Sequence, residues 1–192
     1  MESTSVKPQL SSFALRWTLA TLSGFLFSLL FVEVGEKPDI GILQAVFGAI
    51  AIALPQGCIL RQYNISSYRW VLSTLLTWAV ITAIGIGALG WIVPTTEVIS
   101  LRLIWGSISG GIGGLAIGLA QWGIAISPSI PCAWRWIFVS SFSWALAVPI
   151  GTVIGMFLRR HTQLFLGEVV GLAITWFLVA IITGVSAYKL LK

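Results

Sequence analysis

Six long apolar runs occupy most of this 192-residue chain and restrict it to one class of fold. Each run is about 20 to 25 residues long, so as a helix it would cover about 30 Å, the thickness of the hydrocarbon core of a bilayer. The runs cover 13–32, 41–60, 70–92, 103–126, 136–158 and 164–188. The sequence therefore predicts an all-α bundle of six transmembrane helices that forms a single integral membrane domain over residues 1–192.

The composition agrees with a membrane protein. Only 9% of the residues are charged, whereas soluble globular proteins are about 25% charged. The first apolar run ends at Glu33 rather than at a small-residue cleavage site, so we interpret it as a span and not as a removed signal peptide. The basic residues are scattered singly or in pairs between apolar runs, which argues against nucleic acid as a partner. The expected partner is the lipid bilayer.

The distribution of lysine and arginine predicts the orientation, because cytoplasmic loops carry an excess of these residues. If the N-terminus is cytoplasmic, seven of the eleven basic residues lie on that side and four on the other. Five of the six acidic residues also lie on the second side. We therefore expect both termini, the 61–69 loop and the 127–135 loop to be cytoplasmic.

A stripe of glycines marks the fourth apolar run. Its members are spaced four apart and share one face of a helix; they are Gly106, Gly110, Gly114 and Gly118. Small residues let membrane helices approach closely. A second small-residue stripe occurs 65 residues earlier, at Gly41, Ala45, Ala49 and Ala53. We predict that the fourth helix is the central packing helix and that the two stripes face each other.

The chain also repeats itself at an offset of 65 or 66 residues. The segments 48–56 and 113–121 share five of nine residues, and Arg69-Trp70 recurs as Arg135-Trp136. The pattern predicts three tandem two-helix hairpins, at approximately 13–61, 69–127 and 135–192. Because each copy has an even number of spans, the copies would share one orientation about an axis along the membrane normal.

The repeat unit opens one helix with R-W-x-x-x-[ST] and ends a Gly-rich helix with L-x-Q. This pattern resembles a group of uncharacterised bacterial multi-pass membrane proteins built from tandem Gly/Gln/Trp-rich helical hairpins. The resemblance covers nearly the whole chain, although Ala187 stands where Gln56 and Gln121 stand in the earlier copies. It implies no established activity, so no functional residues are carried over. The expected location is the bacterial plasma (inner) membrane or an internal membrane.

A polar layer is the first candidate site. Five polar residues are expected at one level, about one turn inside the predicted cytoplasmic boundary, namely Thr21, Gln56, Thr74, Gln121 and Ser140. Interhelical hydrogen bonding is the favoured interpretation. The alternative is a small polar pocket between the hairpins.

Glu168 is the second candidate, because an ionisable residue inside an apolar run is a functional candidate by default. Arg102 occupies the equivalent repeat position on the fourth helix. We favour a structural ion pair, in which Arg102, Arg159 or Arg160 is the partner of Glu168. The alternative is an independent functional acid.

The tryptophans form two predicted groups. Trp78, Trp144 and Trp176 lie deep in apolar runs, where core packing is favoured over stacking on a ligand ring. Interfacial belts are predicted for the others considered, which are Trp91, Trp105, Trp122 and Trp134.

The sequence offers no catalytic, cofactor-binding or metal-ligating set. His161 is the single histidine, and Cys58 and Cys132 are far apart in the sequence, so no metal-ligand spacing is present. We predict a non-enzymatic scaffold, assembly factor or accessory subunit that associates with a membrane protein or with itself. The alternative is a small-solute carrier or a substrate-binding membrane subunit, and an intramembrane enzyme is a distant third.

Overall fold

The structure is a computed structural model that describes residues 10–36, 40–63, 65–84 and 88–192. Its elements are six α-helices, and none of the residues in these ranges belongs to a β-strand. The helices are α1 (Leu10–Ser28), α2 (Ile42–Leu60), α3 (Ser67–Ala83), α4 (Ile99–Ala120), α5 (Arg135–Thr162) and α6 (Leu166–Leu191). A 3₁₀ turn extends α2 over Arg61–Tyr63, and a π-helical turn extends α4 over Gln121–Ala125. The predicted all-α class is confirmed.

Four of these helices are long and apolar enough to cross a membrane, which indicates a membrane-embedded protein. With their extensions, they cover Ile42–Tyr63, Ile99–Ala125, Arg135–Thr162 and Leu166–Leu191. The two remaining helices are not among the four, since α3 has 17 residues and α1 has 19 but is less apolar over that length. The count of six spans therefore stays a prediction.

The third helix ends earlier than its apolar run predicts. The run extends to residue 92, but α3 ends at Ala83, and the chain from Ala88 to Val93 packs into the core. Trp91 is fully buried, and its indole Nε1 donates a hydrogen bond to the Ser28 hydroxyl over 2.8 Å. The prediction that Trp91 lies in an interfacial belt is wrong, because the segment from Ala88 to Val93 places this large apolar side chain inside the bundle.

The six helices are arranged in a ring. Each helix packs against its neighbour in sequence, and α1 packs against α6, which closes the ring. Short connections, such as residues 163–165 between α5 and α6, bring consecutive helices side by side.

Aromatic rings fill the middle of this ring of helices. Trp176 lies 4.8 Å from Trp144 and 5.5 Å from Trp91, measured between ring centroids. Trp78 and Phe25 complete this central cluster. A second cluster lies nearer the beginning of the odd-numbered helices and contains Phe13, Trp17, Trp70 and Trp136. The deep tryptophans thus pack on one another.

The glycine stripe of α4 contacts α5. A Cβ atom added to Gly114 would lie 2.6 Å from the carbonyl oxygen of Ser140, and one added to Gly118 would lie 2.8 Å from Cα of Ile137. The prediction that this stripe faces α2 is therefore wrong. The ring places α5 beside α4, and it leaves the outer face of α4 exposed at Ile108 and Ile112, so α4 is not surrounded by other helices.

A second close contact joins α5 and α6. It is formed by two G-x-x-x-G pairs, Gly151 with Gly155 and Gly167 with Gly171. A Cβ atom added to Gly171 would lie 2.7 Å from Cα of Gly155. The G-x-x-x-G spacing is visible in the sequence and is typical of closely packed membrane helices, so this second contact has a sequence signal as well.

Candidate functional site: a polar layer and a buried ion pair

The first part of the polar layer links three helices through one amide. Gln56 of α2 donates from Nε2 to the Thr21 hydroxyl of α1 over 2.8 Å. It accepts a hydrogen bond at Oε1 from the indole of Trp70 in α3 over 3.2 Å. The amide orientation follows from its partners, because an indole N–H only donates and the Thr21 hydroxyl already donates to the Trp17 carbonyl.

The second part of the layer has the same arrangement on the next helices. Gln121 donates from Nε2 to the Thr74 hydroxyl of α3 over 3.1 Å. It accepts at Oε1 from the indole of Trp136 in α5 over 2.8 Å. Gln121 is the first residue of the π-helical turn that extends α4. Such turns insert one residue into a helix and are frequent at functional sites.

The third part of the layer differs, because Ala187 has no side-chain amide. The Trp17 indole instead donates to the Thr183 hydroxyl of α6 over 3.0 Å. Ser140 is 2% exposed, and its hydroxyl makes no hydrogen bond to any residue in the described part of the chain. Four of the five predicted layer residues are therefore joined in two groups, and Ser140 stands apart from both.

A small cavity lies inside this layer. Its volume is about 40 Å³, and its walls include Gln56, Gln121, Ser140 and Thr183 together with indole rings of both aromatic clusters. A buried water needs at least about 10–15 Å³, whereas sites for drug-sized ligands occupy about 300–1,000 Å³. The layer thus leaves room for water-sized molecules only.

The buried ion pair joins α4 to α6. The Arg102 guanidinium contacts the Glu168 carboxylate in a bidentate arrangement, with Nη1 3.0 Å from Oε2 and Nη2 2.9 Å from Oε1. Both side chains are about 2% exposed or less. The parallel arrangement of two N–H donors and two carboxylate oxygens is the strong form of this interaction.

Backbone carbonyl groups accept the other Arg102 hydrogens. Nε donates to Thr96 over 2.7 Å, Nη1 donates to Thr152 over 2.7 Å, and Nη2 donates to Pro94 over 2.9 Å. All five N–H donors of the guanidinium are therefore used. Arg102 thus ties α4 to α5, to α6 and to the segment before α4. These carbonyl contacts were not predicted, because every residue carries a carbonyl and the sequence holds no signal for them.

Two more ion pairs lie at the same end of the molecule. Arg159 pairs with Glu36, and Arg160 pairs with Glu97 over 3.0 Å. All four side chains are more than a third exposed, and exposed pairs contribute only about 0–1 kcal/mol each. Arg159 and Arg160 thus have their own partners, so Arg102 alone pairs with Glu168 among the three arginines considered.

The described residues contain no group of three histidine, cysteine, aspartate or glutamate side chains that could hold a metal ion. Cys58 and Cys132 are exposed and unlinked. No protein-family model, no curated protein and no solved structure matches this chain.

Proposed function

We propose that this protein is a non-enzymatic scaffold, assembly factor or accessory subunit of a membrane complex. The observation that carries the proposal is the closed interior. The two glutamine amides and the buried arginine find their partners within the chain. Tryptophan rings fill the space between the helices. A carrier is expected to have a larger polar cavity near mid-membrane, whereas the cavity beside Ser140 measures only about 40 Å³.

The proposal includes three tandem hairpins and six spans. It is supported by the hydrogen bonds of Gln56 and Gln121, because two residues at the repeat offset bond to the same types of partner on the preceding and following helices. Six spans are supported by the places of α1 and α3 in the ring, each beside helices that are long enough to cross.

The proposed orientation has both termini in the cytoplasm of a bacterium, with the chain in the plasma (inner) membrane or an internal membrane. The basic residues at the two ends of the bundle support it. The three ion pairs lie at the end proposed to be non-cytoplasmic. Arg69, Arg135 and Lys189 lie at the opposite end, where the positive-inside rule expects an excess of cations.

A groove on the outer surface offers a place for the partner. It lies between α1 and α2, has a volume of about 660 Å³ and is almost entirely apolar. Phe27, Phe31 and Phe47 form its sides, whereas Gly24 and Ala51 contribute small residues. Gly24 is already packed against the Ala51 carbonyl of α2, so the apolar rings of the groove would receive another membrane helix, either of a different protein or of a second copy.

Photo-crosslinking tests the proposal. A photoreactive amino acid would replace Phe47 in the groove and, as the matched control, Ile112 on α4; these side chains are 54% and 50% exposed. We expect a discrete protein adduct from position 47 in native membranes and lipid adducts alone from position 112. If both positions give only lipid adducts and the chain is monomeric in mild detergent, the proposal is wrong.

A small-solute carrier or substrate-binding subunit is the second candidate, and the cavity beside Ser140 is the observation that favours it. Proteoliposomes would be tested for uptake of ammonia, urea and glycerol. Uptake above that of empty liposomes, abolished by Ser140→Leu, would support this candidate. Uptake equal to that of empty liposomes for all three solutes would count against it.

A further inference from the structure

A basic cavity lies between the beginning of α5 and the end of α6. Its volume is about 230 Å³. Arg135, Lys189 and Ser186 supply polar groups, and Trp136 and Leu190 supply apolar walls. This combination of cations, a hydroxyl and an apolar wall differs from the polar layer, which carries no charge.

Neither cation at this cavity has a carboxylate partner among the described side chains. In contrast, each of Arg102, Arg159 and Arg160 has one. The described side-chain carboxylates, which are Glu33, Glu36, Glu97 and Glu168, lie at the other end of the bundle. The two ends of α5, which has 28 residues, are about 40 Å apart. Within the part of the chain that the structure describes, no side-chain carboxylate therefore neutralises the positive charge at the cavity.

Exposed aromatic side chains lie next to the cavity. Trp134 and Phe138 are 51% and 60% exposed, and the Arg135 guanidinium carbon lies 6.0 Å from the centre of the Trp134 ring. Tryptophan is enriched where a membrane meets water. A cavity at this level is within reach of phospholipid headgroups.

We propose that this cavity binds the phosphate group of an anionic phospholipid. The Arg135 and Lys189 side chains supply the charge, the Ser186 hydroxyl supplies a further hydrogen-bond donor, and the apolar wall accepts the start of the lipid chain. Basic pockets between membrane helices are suited to such headgroups. The volume is below the roughly 300–1,000 Å³ of sites for drug-sized ligands, as expected for a headgroup.

The test compares lipids on the full-length protein purified in mild detergent. Thermal unfolding and lipid retention by native mass spectrometry would be measured with phosphatidylglycerol, with phosphatidylcholine and with inorganic phosphate. We expect phosphatidylglycerol to raise the unfolding temperature more than phosphatidylcholine does. Each of Arg135→Gln and Lys189→Gln should weaken phosphatidylglycerol binding about fivefold, and the double variant about 25-fold.

Arg69→Gln is the matched control, because it removes an exposed cation at the same end that does not line this cavity. It should leave phosphatidylglycerol binding within about twofold of the unaltered protein. A cooperative thermal unfolding transition in the presence of phosphatidylcholine would show that a variant is folded, and lipid binding is compared only among folded variants.

The possible outcomes separate the sources of the phosphate group. If inorganic phosphate at millimolar concentration displaces phosphatidylglycerol from the unaltered protein and has no such effect on the double variant, the cavity is a phosphate site that also accepts the free anion. No competition, together with loss of phosphatidylglycerol binding in the double variant, would support a site specific for the lipid. If Arg69→Gln weakens binding as much as the cavity variants do, the attraction is a general surface charge and the proposal is wrong.

Discussion

The polar layer and the Arg102–Glu168 pair both bury polar groups inside an apolar bundle, but they do so in opposite ways. The layer spreads its hydrogen bonds over neutral side chains from all six helices. The ion pair concentrates two charges at one point and surrounds them with backbone carbonyls. A neutral network loses a little with each missing bond, whereas a buried ion pair depends wholly on both partners. The two regions should therefore respond very differently to single substitutions.

The largest effect is expected at the ion pair. Arg102→Gln or Glu168→Gln should each destabilise the protein by about 3–5 kcal/mol, because the remaining charge would be buried without its partner. The double variant should recover part of this loss in a double-mutant cycle. Unfolding in detergent would be the measurement.

Arg160→Gln is the matched control, because Arg160 and its partner Glu97 are 45% and 75% exposed and the pair should be worth at most about 1 kcal/mol. If the losses of unfolding free energy in the two single variants simply add in the double variant, Arg102 and Glu168 do not stabilise each other. Glu168 would then again be a candidate for an independent functional acid.

The next effect is expected where α4 supports the polar layer. Gly114→Leu would insert a side chain against the Ser140 carbonyl and Trp144, so it should cost about 1–3 kcal/mol or more. Gly123→Leu is the matched control, since no atom lies within 4 Å of a Cβ atom added there. The measurements are folded yield and unfolding temperature. Equal behaviour of the two variants would mean that the stripe does not pack against α5.

A smaller effect is expected within the layer itself. Gln121→Leu removes the hydrogen bonds to Thr74 and Trp136, and interhelical hydrogen bonds in membrane proteins average about 0.6 kcal/mol each. The unfolding free energy should thus fall by about 1 kcal/mol, and Gln56→Leu should behave alike. A loss as large as that of Arg102→Gln would show that the layer is not the more tolerant of the two regions.

The smallest effect is expected from completing the layer. By the repeat offset, Ala187→Gln would place an amide at the level of Ser140, and one new hydrogen bond to that hydroxyl should add about 0.6 kcal/mol. The Trp17 indole adds no further bond, because its single N–H already donates to Thr183. Ala187→Leu is the control of similar length without hydrogen-bonding groups. Unfolding should show Ala187→Gln as the more stable of the two, and the difference should shrink when Ser140→Ala is added. Equal stability of the two would mean that the amide finds no partner.

Some contacts of the polar layer and the ion pair follow from spacing along the sequence, whereas others depend on which helices meet. The level shared by Gln56, Gln121 and the tryptophans followed from counting along helices, and the side chains at that level bond to one another in the structure. The place of Arg102 opposite Glu168 followed from the repeat offset. In contrast, the hydrogen bond between Trp17 and Thr183 could not be foreseen, since it depends on α1 closing the ring against α6.

The sequence by itself determined the helical class, the apolar lengths and the spacing of polar and small residues along each helix, because helical period and hydropathy are local properties. The tertiary structure decided which helix each face meets. It turned the glycine stripe of α4 toward α5, ended α3 at Ala83 so that Trp91 could be buried, and brought three carbonyl groups to Arg102. These features depend on contacts between segments that are distant in the sequence. The residue type of a carbonyl group or of a glycine does not specify which helix it will contact.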